Sequence, residues 1–356
     1  MKKQKVLFVY TFESKTGLSS KASKIEQGFR DAGCCLDAVY FGSAAGRIKR
    51  IFELLALYLD VSLKLVFGRY DVVFLRYAYY FLPVYFFAFL VRRDFQVEVN
   101  SNVRDELIGR GQRVRYVLDS LAERFVRYTA KKIHVVSKSL TEKLNRQYPS
   151  ANYVFTANFV VDENYYPKNE VGKDRINLVF MGNCAQPWHG IPLFLDVIIG
   201  AQSDWFNSLC TLHFIGHVDE ETKNAVLRNN LTESVRFHGL LFAEEKHAAL
   251  RNMDLGLSSF DLNFKGMTET TAIKTAEYLY NGIGLVIGYE DPVIPSSLPF
   301  VLTLDMDGDP EKQCAKFKAF VAGYRNISGA AEAAHKYAKK HLLVNKYIAR
   351  ILSEDL

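Results

Sequence analysis

Residues 268–288 read TETTAIKTAEYLYNGIGLVIG, and this stretch decides the fold. Glu269 and Glu277 flank Lys274, Thr270 and Thr271 stand where a helix would begin, and Gly282 stands where it would end. The spacing predicts a helix from about Ala272 to Tyr280 with Thr271 as its cap, feeding directly into an apolar strand. The first turn of such a helix presents unpaired N–H groups and a partial positive charge, a ready site for an anion. Lys274 in that turn is unfavourable for the helix itself, and a bound diphosphate would remove the conflict. Glu277 lies one turn on, suited to accept both hydroxyls of a ribose, and Glu269 precedes the cap, where it could contact a sugar beyond the phosphates. The same residues also fit an ordinary amphipathic helix with a Lys274–Glu277 surface pair.

Strands and helices alternate outward from this unit. KVLFVYTF (5–12), LDAVYF (36–41), DVVFLRY (71–77), FQVEVN (95–100) and KIHVVS (132–137) read as strands, with helical patterns at 19–33 and 114–131. After Asn158 a polar stretch, NFVVDENYYPKNEVGKDR, reads as a linker, and the alternation restarts. INLVFMGN (176–183), CTLHFIGHV (210–218), SVRFHGLL (234–241), LGLSSF (255–260) and LVIGYE (285–290) are the second set of strands. Residues 330–353 read as one closing helix. The expected architecture is α/β, two doubly wound Rossmann-like domains over residues 1–165 and 166–356. A length of 356 residues suits two such cores.

Composition is that of a globular chain, with 49% hydrophobic and 24% charged residues. Residues 1–165 hold 26 Lys and Arg against 16 Asp and Glu, whereas the remainder holds 19 against 23. The basic half could meet nucleic acid, anionic lipid or a phosphorylated substrate. The five cysteines form no CxxC pair and read as reduced thiols. The start, MKKQKVLFVYTF, has too short an apolar run for a signal peptide and reads as a first strand, so a cytoplasmic location is expected.

The glutamate–lysine–glutamate unit followed by EYLYNGIGLVIG resembles the donor-binding signature of retaining GT-B glycosyltransferases, particularly family 4. VVSKSLTEKL (135–144), NFVVDENYYP (158–167), LVFMGNCAQPWHGI (178–191) and VRFHGLL, which ends in Gly239 and two leucines, resemble further family segments in the family's order. The resemblance implies two domains facing a cleft, with a terminal helix that can cross back. It implies transfer of a hexose, with retention and without metal, from a nucleotide diphosphate sugar to a glycan or lipid-linked acceptor in polysaccharide synthesis. By it Glu277 holds the ribose, Lys274 the diphosphate and Glu269 the transferred sugar. The N–H groups of Thr271, Ala272 and Ile273 support the phosphates, and Asn183, His189 and Gly239 line the donor side.

Two positions depart from the family pattern. Asn183 and His189 stand where the family has Arg and Lys, so His189 helps only as imidazolium or as a neutral N–H donor. Ile283 to Leu285 lacks the proline expected after the glycine. In the first domain the glycine-rich loop is reduced to Lys15–Ser19 with Gly17, and LRYAYY and VEVNSN make Arg76, Glu98 and Asn100 acceptor-side or interface candidates. Satisfied polar groups at strand ends would read the same way. His134, inside a strand, reads as a core residue.

Two apolar segments, 47–69 and 77–93, are poor spanning helices because they carry Glu53, Asp60, Lys64 and Pro83. They fit either a buried helix pair or a face lying on an anionic cytoplasmic membrane surface. Rival functions are a nucleotide-sugar-binding protein without transferase activity and a GT-B nucleotide-sugar epimerase. No strand is followed by G-x-G-x-x-G, and no nucleic-acid module accompanies the basic half.

Overall fold

The computed structural model describes residues 3–11, 17–41, 46–92, 94–100, 103–109, 111–160 and 175–353. Contacts divide the chain into two compact units, Met1–Ala157 with Val344–Leu356, and Asn158–Leu343. The expected linker lies mostly in 161–174, outside the described residues.

The first unit holds β1 (Lys5–Thr11), β2 (Cys35–Phe41), β3 (Val72–Arg76), β4 (Phe95–Val99), β5 (Ala130–Val135) and β6 (Tyr153–Phe155). They form one parallel sheet in the order β2-β1-β3-β4-β5-β6. Val6 to Tyr10 are fully buried, as a central parallel strand covered on both faces requires. Alternate residues serve the two layers. Leu7 and Val9 join the core made with helices Arg47–Phe67, Leu82–Leu90 and Arg113–Thr129, while Phe8 meets Phe29 of helix Gly17–Asp31 at 6.1 Å between ring centroids.

The closing segment departs from expectation. It is two helices, Ala330–His341 and Val344–Leu352, and they belong to different units. The first sends Ala334 and Ala338 into the second core, whereas Tyr347, Ile348 and Ile351 of the other are buried in the first unit. The chain breaks between them at Leu342–Leu343, where Val160 N–H donates to the Leu342 carbonyl. The terminal helix lies on helix Gly17–Asp31 at Gly28, where a Cβ would stand 2.8 Å from Ile348 Cγ1. The domain reading that attached residues 344–356 to the second domain is corrected by these contacts, and the division falls after Ala157 rather than 165.

The second unit holds β7 (Ile176–Met181), β8 (Cys210–Ile215), β9 (Val235–Gly239), β10 (Leu255–Leu257), β11 (Gly284–Ile287) and β12 (Val301–Thr303). All pair in parallel in the order β12-β11-β10-β7-β8-β9. Counted within the unit this is 3-2-1-4-5-6 read from its other edge, so the strand order reverses between β7 and β10. Open α/β sheets bind ligands outside the carboxyl ends of the strands at such a switch point.

Candidate functional site

β7 ends at Met181, and the chain turns through Gly182 at φ 144°. A Cβ on Gly182 would stand 3.3 Å from Lys274 Nζ and 3.6 Å from His189 Nε2. The glycine therefore leaves open the space on which a cation and an imidazole converge. Gly182→Ala is expected to destabilise this unit by about 1–3 kcal/mol, because the backbone conformation strains an L-residue and the added methyl presses on Lys274. Thermal melting checks it, and an unchanged melting temperature would show that the turn accepts a side chain.

Lys274 is the second residue of helix Ile273–Tyr280. That helix is tied to the end of β7 by Tyr278, whose phenol oxygen accepts the Met181 N–H at 2.7 Å. Lys274 Nζ lies 4.0 Å from the Phe180 ring centroid and 3.5 Å from His189 Nδ1. No carboxylate pairs with Lys274 among the described residues, and the surface pair with Glu277 is not formed. Burial, reinforced by repulsion from Lys265, lowers its pKa to about 7 despite an opposing pull from Cys184. Lys265 itself sits over the Trp188 ring at 3.8 Å.

His189 closes the short turn Pro187–His189, held to the β10 side by Phe260 N–H donating to the His189 carbonyl. Burial and the positive charges of Lys274 and Lys265 push its pKa down to about 2, so the ring is neutral. Nδ1 lies 3.2 Å from Ser259 Oγ and faces the Lys274 ammonium. An ammonium only donates and the Ser259 hydroxyl can donate, so Nδ1 is assigned as acceptor and Nε2 carries the hydrogen toward the Gly182 opening. Of the two roles open to His189, the geometry leaves the neutral donor.

Thr271 does not cap the helix. The capping position is Ala272, without a side-chain cap, so the first-turn N–H groups have no side-chain acceptor. Thr271 is buried, its hydroxyl accepts Asn158 N–H at 2.8 Å, and its carbonyl accepts from the Asn158 amide at 2.5 Å. Asn158 thus anchors Thr271, the first of the three residues whose N–H groups were expected to meet the phosphates. Glu277 lies 3.6 Å from Lys246 through Oε1, and Glu269 is bridged through its backbone to Glu290 beyond β11. Asn183 uses its Oδ1 to accept Ala185 N–H, ordering the loop after β7. Gly239, at φ 68°, ends β9 on the same rim of the sheet and gives its carbonyl to Gly216 N–H.

The structure therefore brings together Lys274, His189 and Gly182, with Glu277 one turn along the same helix. Ser259, Phe180 and Lys265 join them without having been singled out in sequence. Ser259 was findable, since it lies two residues beyond the end of β10 at the switch point.

In the first unit Arg76, Glu98 and Asn100 do meet, in a closed internal network. Glu98 is 1% exposed; Oε1 accepts from Lys21 Nζ at 2.5 Å and Tyr347 at 2.6 Å, and Oε2 from Tyr10, Asn100 and Arg76 at 3.3, 3.2 and 3.4 Å. Burial alone would raise the Glu98 carboxyl, but Lys21 and Arg76 beside it and the bonds from Lys21 and Tyr347 hold it at about 2. With both oxygens occupied Glu98 offers no face to a ligand, so its acceptor reading gives way to a structural one. Arg76, whose Nη1 donates to Tyr10 at 2.6 Å, keeps some exposure. Gly17 begins helix Gly17–Asp31, while Lys15 and Thr16 lie outside the described residues. His134 is a core residue as expected, its ring nitrogens 2.9 Å from Thr156 Oγ1 and 2.7 Å from Gln96 Oε1.

No family model matches the sequence, and no curated protein matches it. Solved structures do. Sucrose-phosphate synthase from Thermosynechococcus elongatus is similar at a TM-score of 0.74 and 11% identity, covering 98% of this chain and 97% of that one. Anabaena Alr3699/HepE, solved with UDP, is similar at 0.69 and 14% identity, covering 99% and 100%. WaaG, a glycosyltransferase involved in lipopolysaccharide biosynthesis, is similar at 0.68 and 11% identity, covering 97% and 98%. Two six-stranded parallel sheets with their helices, matched over full length, are the GT-B fold of two Rossmann-like domains.

Proposed function

We propose that the protein is a glycosyltransferase that takes a sugar from a nucleoside diphosphate sugar. The observation that carries this reading is the set of donors at the β7–β10 switch point. Lys274 and the neutral His189 Nε2–H converge on the opening left by Gly182, and Lys274 itself stands in the first turn of Ile273–Tyr280, which has no side-chain cap. All three present positive charge or N–H groups, and a diphosphate leaving group gains charge as its bond to the sugar breaks. The neighbour solved with UDP agrees with that choice of ligand. Glu277 would then hold the ribose and Glu269 the transferred sugar. Retention of configuration, a hexose donor, independence of metal and a glycan or lipid-linked acceptor of surface polysaccharide synthesis complete the proposal, with action at the cytoplasmic side.

The test is calorimetric titration of UDP, GDP and ADP with chelator present, followed by the same titration on variants. One nucleotide should bind. Glu277→Ala should weaken it about tenfold to a hundredfold, as expected for lost hydrogen bonds from a charged group. Glu269→Ala should leave nucleotide binding nearly intact and lower turnover of the sugar nucleotide. Equal losses from the exposed Glu244→Ala would overturn the assignment of both glutamates. Binding without any sugar transfer would favour a nucleotide-sugar-binding protein instead.

A further inference from the structure

Helix Arg47–Phe67 is apolar on two faces. Leu57, Val61 and Leu65 are buried in the first core. On the other side Ile48, Ile51, Phe52, Leu55, Leu59 and Leu63 run as a stripe at helical spacing that continues to Phe67, and all are exposed, Phe52 by 67% and Phe67 by 77%. A surface helix of a globular protein turns charged residues to water on that side. The neighbouring helices repeat the pattern. Phe86 and Phe89 of Leu82–Leu90, both exposed, pack their rings on Phe125 at 5.3 and 5.7 Å, and Val114, Val117 and Leu121 of Arg113–Thr129 are exposed as well. Helix Leu82–Leu90 contacts both of the others, so the three form one layer with an apolar outer side. Contiguous exposed patches of this kind mark interaction surfaces.

The uncompensated charges beside this face are mostly positive, Glu53 being the exception among the described carboxylates of these helices. Asp60 is taken by Lys64 at 3.0 Å, Glu123 by Arg127 at 2.9 Å, and Asp119 is buried against Tyr77. Lys49, Arg50, Arg113, Arg115 and Arg124 are exposed on the same helices and pair with no carboxylate among the described residues. A second copy of the chain would bring these cations against their own kind, whereas an anionic bilayer surface would satisfy them. Among the described residues no helix is long and apolar enough to cross a membrane, which leaves a face lying in the interface.

We propose that the outer side of Arg47–Phe67, Leu82–Leu90 and Arg113–Thr129 docks the protein on an anionic lipid bilayer. The inference deepens the transferase reading by naming where its acceptor is held, on a lipid surface, and rests on that reading for this meaning alone. The docking itself needs neither donor nor acceptor.

The experiment is sedimentation of the full chain with phosphatidylcholine vesicles, with and without phosphatidylglycerol. Binding is expected to the phosphatidylglycerol vesicles and to weaken at high salt. Phe52→Asp/Leu55→Asp/Leu59→Asp should lower the partition coefficient at least about tenfold, since three apolar side chains no longer enter the interface. Lys49→Glu/Arg50→Glu should abolish the preference for phosphatidylglycerol. All five side chains are exposed, and unchanged thermal melting of the variants would show that the fold persists. Failure to bind phosphatidylglycerol vesicles would overturn the proposal, as would binding unchanged in the triple variant. A dimer in light scattering that the triple variant dissolves would overturn it in favour of self-association. Since UDP titration is a separate measurement on the other unit, failure of either reading is visible without the other.

Discussion

Lys274→Met is expected to melt at a higher temperature than the wild type while binding the nucleotide about a hundredfold more weakly, the loss expected for a charge-assisted hydrogen bond in a desolvated site. The two effects have one cause. Burial and Lys265 oppose the ammonium, Cys184 offsets only part of this, and no carboxylate pairs with it among the described residues. A diphosphate would supply that charge. Its binding should raise the Lys274 pKa and, above pH 7, draw a proton from solution. Titrations at pH 8 in buffers of different ionisation enthalpy should therefore register proton uptake approaching about one per nucleotide, absent in the variant. Affinity should fall as pH rises through the free lysine's value of about 7. The sign for stability is the reverse. The unfolded chain binds this proton up to about pH 10.4 and the folded chain only to about 7, so the wild type gains stability relative to the variant as pH rises between them. A variant that lost affinity and melted lower would mean that Lys274 supports the fold rather than a ligand.

Much of this was legible beforehand because parallel strands declare themselves. Runs such as Val6–Tyr10 and Leu178–Phe180 are buried on both faces and must be continuously apolar. The two strands that went unread, β6 and β12, are three residues each at sheet edges, too short for any periodicity to register. The helix carrying Lys274 was placed within a residue, but its cap was not. Thr271 has the right side chain, yet its hydroxyl is claimed by Asn158, 113 positions earlier in the chain, and no local rule sees such a competitor. The break at Leu342–Leu343 was hidden for a similar reason. Both flanking segments have helical periodicity, and only the presence of two cores decides that they part. Lys21 shows the opposite case. It lies one turn before Ile25 and two before Phe29, on the buried face of its helix, so a buried cation in need of a partner was readable in principle.

That partner defines the second large effect. Glu98→Ala is expected to destabilise the first unit by about 3–5 kcal/mol, because removing one member of a buried pair leaves the other charge uncompensated. The cost exceeds that of the lost contacts. Lys21, 2% exposed, would lose its carboxylate while Asn100 Oδ1 stays at 3.3 Å, and Tyr347 would lose the acceptor that fixes the terminal helix to the sheet. Hydrogen exchange at the β3 and β4 amides, which reports opening of this unit rather than of the whole chain, should show the loss. Lys21→Met/Glu98→Leu should recover the part due to the stranded ammonium, while the acceptor lost to Tyr347, Tyr10 and Arg76 stays lost. The pH dependence follows from the depressed carboxyl. Its contribution is complete above the unfolded value of about 4.3 and is lost as pH falls toward about 2, so Glu98→Gln should flatten the acid limb of stability in that window. Arg76 separates the structural account from the acceptor account of the same cluster. If the network serves the fold, Arg76→Met costs stability and leaves the Michaelis constant for the acceptor unchanged, whereas a substrate contact would raise that constant in a protein of wild-type stability. Five groups converging on one carboxylate favour the first result, because each bond that secures Glu98 also removes a lone pair that a sugar hydroxyl would need.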